Sequence, residues 1–306
     1  MVILFTTYGI GNRLRTIAST YKICKETNHK LFVFWPIEDD LNASYDDLFE
    51  KNNLQIISIK CNRYLHNFLL YFFKYNRISK ILKSLIINGD FILKNKEEKL
   101  FQYFQNNKFI LIRTCYELNE NYNLKDFKFN FKNIIQNSIL FKNNLIENNY
   151  LIGVHIRRTD NVWSTENSPT NLFIDRIKEI EKERTDLLIY IASDDPTIKD
   201  EFINEFGNKI ISQPITSYNR NNKTGIIDAT IELYNLSICN IILGSYGSSF
   251  SQIASKIGQN RLYIISDEII RESRLQLENI NNIKIPQLTK REWFYYYLHF
   301  IQLYRK

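Results

Sequence analysis

Along the 306-residue chain, apolar and polar positions fall into two blocks of strand-length and helix-length segments. In the first block, residues 2–8 read as an apolar strand, 12–28 carry helical spacing, and 30–35 read as a strand again. Residues 55–60 and 108–115 predict two more strands. The Phe-, Tyr- and Leu-rich stretch from His66 to Gln105 predicts a helical region between them. The second block is cleaner: Tyr150–Ile156, Leu187–Ala192, Lys209–Ser212, Asn240–Ser245 and Arg261–Ile265 read as strands. Between them Asn171–Arg184, Thr197–Phe206, Ile226–Cys239 and Ser249–Ile257 read as helices. Strands alternating with helices in this way imply parallel sheets covered on both faces. The pattern divides into a Rossmann-like unit over 1–149, a second over 150–290, and a terminal helix over 291–306. A Lys- and Asn-rich helical segment from Lys132 to Asn149 bridges the two units, and neither an internal repeat nor a Gly/Ser-rich linker appears.

Composition supports this reading and removes several classes. Hydrophobic residues make up 44% and aromatics 14%, enough for two cores and far above a disordered chain. The net charge of +7, from 40 basic and 33 acidic side chains, favours an anionic ligand or surface. With no nucleic-acid motif beside it, nucleic acid is not expected as a partner. Cysteines at 24, 61, 115 and 239 have no zinc-type spacing and read as thiols of a reducing compartment. No leader pattern opens the sequence, and no run of about eighteen uncharged apolar residues occurs. A cytoplasmic location is the expectation. The aromatic, basic segment 291–306 suits either a membrane-surface helix or a final helix packed back across the junction, and packing is preferred.

Four segments carry candidate chemistry. In Gly153-Val-His-Ile-Arg-Arg-Thr-Asp160 a buried strand runs out into His155, Arg157, Arg158 and Asp160. Strand alternation puts His155 and Arg157 on one face and Arg158 on the other. A guanidinium fork suits a diphosphate, although an arginine pair neutralised by Asp160 is the plainer reading. Tyr8-Gly-Ile-Gly-Asn-Arg13 joins a strand to a helix and offers Gly11 and Asn12 to an anion, without completing the dinucleotide fingerprint. Asp194 and Asp195, at the next strand end, suit a ribose, a metal or a helix cap, with capping preferred beside Pro196. Gly244-Ser-Tyr-Gly-Ser-Ser249 offers Ser248, Ser249 and backbone N–H groups as a phosphate cradle. Asp228 sits near the start of the preceding helix, where a favourable dipole interaction is the alternative role.

Taken in order, His-Ile-Arg-Arg-Thr-Asp (155–160), Ser-Asp-Asp-Pro (193–196), Asp228 and Gly-Ser-Tyr-Gly-Ser-Ser-Phe (244–250) resemble the α1,6- and nodulation-type fucosyltransferases. The α1,2- and protein O-fucosyltransferases share weaker versions of the pattern. The resemblance covers roughly 150–258, thins over 8–35 and does not extend to 60–130. It implies a GT-B fold, two Rossmann-like domains facing a cleft. It also implies inverting transfer of L-fucose from GDP-fucose to a glycan hydroxyl, with no metal. Under it Arg157 grips the β-phosphate and Arg158 supports the site. His155 and Asp228 meet the guanine end, with Asp194 beside them in the donor site. Ser248 and Ser249 contact phosphate, and Gly11 and Asn12 bring the opposite domain to the donor. The family usually has Gln where Ser249 stands and often Lys where Asn161 follows Asp160. Its proposed catalytic glutamate aligns with Glu166 only if one residue is inserted around Trp163, so the general base is Glu166 or Asp160. Another nucleotide sugar as donor, or a nucleotide- or glycan-binding protein without catalysis, are the alternatives. The acceptor is expected to be a cell-surface or lipid-linked glycan, and peripheral membrane contact through the C-terminus is the alternative to packing that would suit it.

Overall fold

The computed structural model describes residues 1–51, 54–61, 64, 86–89, 92, 97–119, 121, 122, 124, 129–137 and 149–266. The first half contains β1 (Val2–Thr6), α1 (Ile10–Glu26), β2 (Leu31–Ile37), α2 (Tyr45–Leu48) and β3 (Gln55–Lys60). It continues with β4 (Ile86–Asn88), α3 (Glu97–Asn106), β5 (Ile110–Thr114) and α4 (Asn133–Asn137). Its strands form one parallel sheet in the order β3-β2-β1-β5-β4. Val2 and Leu4 of β1 and Ile110 and Ile112 of β5 point into the core on alternate positions. Ile10, Leu14 and Ile17 give α1 the apolar stripe that covers this sheet.

The second half contains β6 (Tyr150–Ile156), α5 (Val162–Asn167), α6 (Thr170–Glu181), β7 (Leu187–Ser193), α7 (Pro196–Phe206) and β8 (Ile210–Ile211). Then follow α8 (Lys223–Ser237), β9 (Ile241–Ser245), α9 (Ser249–Gly258) and β10 (Arg261–Ile265). This sheet is also parallel, in the order β10-β9-β6-β7-β8. β6 is central and is buried from Leu151 to Ile156, which explains its unbroken apolar run. The chain turns to opposite sides of β6 to place β7 and β9, so a crevice opens beyond the carboxyl ends of these two strands. One buried cluster runs from the first sheet through α1 to Ile226 and Leu233 of α8 and Ile253 of α9. A second lies on the other face of the second sheet, around Phe173 and Phe202. Across the junction α1 packs on α9, and α8 packs on α2 and α4.

The expected α/β architecture with two parallel sheets is present, and β3 and β10 match their predicted limits. Differences are local. β1 stops at Thr6 because Tyr8 turns into the left-handed region at φ 62°. β4 lies inside the region read as helical, where three residues are too few to set a period of two. α8 begins at Lys223 rather than Ile226 because the Asn222 side chain caps it through the Gly225 N–H. The bridge over 132–149 is helical at Asn133–Asn137, and its remaining part to 148 lies outside the described residues, as do 267–290 and the terminal segment 291–306. All four cysteines are thiols. Among the described residues no helix is long and apolar enough to cross a membrane.

Candidate active-site cleft

The carboxyl ends of β1 and β5 from one sheet and of β6, β7 and β9 from the other line a single cleft of about 500 Å³. Its second-half wall is organised by Asp194. One carboxylate oxygen accepts the Arg158 backbone N–H at 2.8 Å. The other accepts the Thr159 hydroxyl at 2.7 Å and lies 3.1 Å from Nη1 of Arg157. Ser245 Oγ accepts the Arg157 N–H at 3.0 Å, so the strand end is pinned from β9 as well. Arg157 also pairs with Asp160, whose second oxygen is 3.1 Å from Nη1 of Arg220. The Arg157 side chain is only 14% exposed, which strengthens its field toward a ligand. Arg158 points elsewhere: its guanidinium donates to the carbonyls of Arg157 and Ser168 and to the Thr170 hydroxyl.

His155 is buried, stacks on Phe250 with ring centroids 4.8 Å apart, and leaves Nδ1 buried without a hydrogen-bond partner. An orphaned polar atom in a cleft wall marks a contact that a ligand can complete. Burial first, and then the charge of Arg157, push the imidazole pKa down to about 3, so the ring is neutral. Further along the wall Asp228 accepts the backbone N–H groups of Thr216 and Ser217 at 2.7 and 3.0 Å. Glu232, one turn on, forms a buried ion pair with Lys199 at 2.7 Å. Burial pushes its carboxyl up to about 7 against the opposing charge of Lys199.

The first-half wall is held by arginine side chains bonded to backbone carbonyls. Arg13 is fully buried; it donates to the Tyr8 carbonyl at 2.6 Å and to the Pro36 carbonyl, and pairs with Glu38 at 3.1 Å. This clamp fixes the turn that aims Tyr8 and Gly9 at the cleft. Arg15 Nε reaches across to the Cys115 carbonyl at 2.8 Å. Gly11 is needed for close approach: a Cβ there would lie 3.0 Å from the Ser249 carbonyl oxygen, so α1 and α9 meet at this point. The N-cap residues of these two helices, Gly9 and Ser248, make no side-chain cap, and both line the cleft. By contrast α5, α7 and α8 are capped by Asn161, Asp195 and Asn222.

Of the residues singled out in the sequence, Gly11, Asn12, His155, Arg157, Asp160, Asp194, Asp228, Ser248 and Ser249 all line this cleft. Arg158 and Glu166 are not among its lining residues. Glu166 is exposed near the end of α5, the helix that fills the space after Asp160. Asp195 caps α7 through the Thr197 N–H, the role preferred for an aspartate beside Pro196, and Asp194 is the one that faces the cleft. Sequence reasoning missed Tyr8, Arg15, Tyr116, Tyr218, Arg220 and Glu232, which also line it. Tyr8 and Glu232 sat inside segments already under scrutiny. The others lie in stretches whose charges look like ordinary solvated faces.

No model of a protein family matches the sequence, and no curated protein sequence is significantly similar to it. Solved structures are similar. NodZ α-1,6-fucosyltransferase co-crystallized with GDP superposes with a TM-score of 0.54 at 17% identity, over 83% of this chain and 91% of that one. Fucosyltransferase NodZ from Bradyrhizobium gives 0.55 at 16% identity, over 83% and 90%. A variant of Arabidopsis thaliana FUT1 in complex with GDP gives 0.56 at 16% identity, over 86% and 69%. The chain therefore has the GT-B fold of these fucosyltransferases, two parallel-sheet units joined around one cleft.

Proposed function

We propose that this protein is a glycosyltransferase that moves L-fucose from GDP-fucose to a hydroxyl of a glycan acceptor with inversion. One observation carries the reading. Arg157, held by Asp160 and Asp194, shares a cleft with two helix N-termini that no side chain caps. Helix N-termini and a guanidinium fork together suit a diphosphate. His155 Nδ1, neutral and orphaned, and Asp228 suit the base end of the donor. The guanine and fucose assignments rest on the motif resemblance and on GDP in the structurally similar enzymes.

In the reaction the acceptor oxygen bonds to the anomeric carbon as the bond from that carbon to the β-phosphate oxygen breaks. The electron pair leaves with GDP, and Arg157 with the N–H groups of α9 stabilises the growing charge. A carboxylate takes the acceptor proton. Asp160 lines the cleft and Glu166 does not, so the base is assigned to Asp160. No metal is part of this scheme, and transfer should persist in chelator. Asp160→Asn should slow transfer by about a hundred- to ten-thousand-fold, and Glu166→Gln should leave it near wild type. The reverse ranking would move the base to α5.

The reading is tested by thermal stabilisation with GDP, UDP, ADP and CDP. A ligand at about a hundred times its dissociation constant stabilises by about 2.7 kcal/mol. A response to GDP, followed by turnover of GDP-fucose with any acceptor, supports it. A preference for another nucleoside diphosphate keeps a glycosyltransferase with a different donor. Binding without turnover leaves a nucleotide-binding protein.

A further inference from the structure

We propose that Arg220 is a second ligand for the donor diphosphate, and that the diphosphate exchanges with Asp160 for the forks of Arg157 and Arg220. This rests on the nucleotide-sugar reading above and adds a residue that no sequence motif pointed to.

Three observations carry it. Arg220 comes from the loop between β8 and α8, and much local structure is devoted to placing that loop. Asp228 holds the Thr216 and Ser217 N–H groups. Ser217 Oγ accepts from the Asn219 N–H at 3.1 Å and from the Asn222 side chain at 2.9 Å. The Asn219 carbonyl lies so close over Gly225 that a Cβ there would meet its oxygen at 2.1 Å, so only glycine permits this course. The first half fixes the loop from the opposite side. Asn42 donates its N–H to the Arg220 carbonyl at 3.3 Å and its side chain to the Asn221 carbonyl at 2.5 Å, and Lys223 pairs with Asp47. A loop tied to both halves presents one arginine to the cleft.

The third observation is the charge arrangement. Asp160 accepts Arg157 on one oxygen and Arg220 on the other, so a single carboxylate bridges two guanidiniums. Asp194 is a second partner for Arg157 alone, so Arg220 shares its one carboxylate partner with a neighbouring cation. A diphosphate brings more charge and more acceptor oxygens, and it can satisfy both forks at once. The Arg220–Asp160 pair is 38% and 55% exposed, so it holds weakly and yields to a multivalent anion at little cost. Displacement frees the Asp160 carboxylate to accept the proton of the acceptor hydroxyl. Donor binding thereby switches on the base, and the donor binds before the acceptor.

The experiment measures binding of GDP and GMP by calorimetry to the full chain and to Arg220→Ala, Arg220→Lys and Asp160→Asn. Arg220→Ala should weaken GDP by about 10- to 100-fold while changing GMP by less than about threefold, since GMP lacks the β-phosphate. Arg220→Lys should recover part of the loss. Asp160→Asn should bind GDP at least as tightly as wild type, because a competing anion is gone. Wild-type GDP affinity in Arg220→Ala would overturn the proposal while leaving the nucleotide-sugar reading intact. Equal losses for GDP and GMP would overturn it in favour of a purely structural loop. Loss of GDP affinity in Asp160→Asn would overturn the exchange. A wild-type chain that binds no nucleoside diphosphate would overturn both this inference and the functional reading beneath it.

Discussion

The two walls of the cleft come from sheets of the same general kind, yet they are built in opposite ways. In the second half, polar side chains bond to one another across strand ends: Asp194 to Arg157 and Thr159, Asp160 to Arg157 and Arg220. In the first half, buried arginines bond to backbone carbonyls, Arg13 to Tyr8 and Pro36, Arg15 to Cys115. The same residue type therefore carries two tasks. Arg13, and Arg158 in the second half, hold the shape of the protein, whereas Arg157 and Arg220 line the cleft.

Arginine substitutions should separate these tasks. The largest effect is expected for Arg13→Ala, which removes a fully buried cation and its bonds to Glu38 and two carbonyls. It should cost about 3–5 kcal/mol of stability in denaturant unfolding, and an unchanged midpoint would erase the contrast. Arg157→Ala should instead leave stability near wild type and lower transfer by about a hundred- to thousand-fold, read as kcat/KM for the donor. Gly11→Ala probes the joint between the walls, where the new Cβ would press on the Ser249 backbone. A stability loss of about 1–3 kcal/mol is expected, with weaker GDP binding as the accompanying readout.

The smallest expected effect is a pH dependence. His155 titrates near 3 in the folded chain against an ordinary value of 6.5, so the unfolded chain takes up a proton that the folded chain refuses. Stability from this group therefore falls as pH drops through 6.5, by about 0.7 kcal/mol between pH 7 and 6. Glu232, with its carboxyl pushed up to about 7, gains a proton on folding in the same range and acts in the opposite direction. Comparison with His155→Phe isolates the histidine: the variant should lack its share of the slope in thermal unfolding at the two pH values.

The contrast between the walls also explains what the sequence made legible. Arg157, Asp160 and Asp194 were singled out because each follows an apolar strand within a few residues, and His155 because it is a polar residue inside one. Arg13 and Arg15 share a helix with Thr16 and Lys22, and nothing in their spacing distinguishes a buried clamp from a solvated face. Arg220 depends on contacts with Asn42 and Asp160, far away in sequence. Glu166 stands outside the cleft for a local reason. Asn161 caps a helix through the Ser164 N–H, and the carboxylate near the end of that helix is exposed rather than lining the cleft.

The meeting of Gly11 with Ser249 has one more consequence. It brings together the N-terminal ends of α1 and α9, each equivalent to roughly half a positive charge. Alone, these two ends repel each other at the very seam where the halves join. A bound anion reverses the sign of that interaction and acts as a keystone. If the anion is the proposed nucleotide sugar, the strength with which the halves hold together becomes a function of nucleotide concentration.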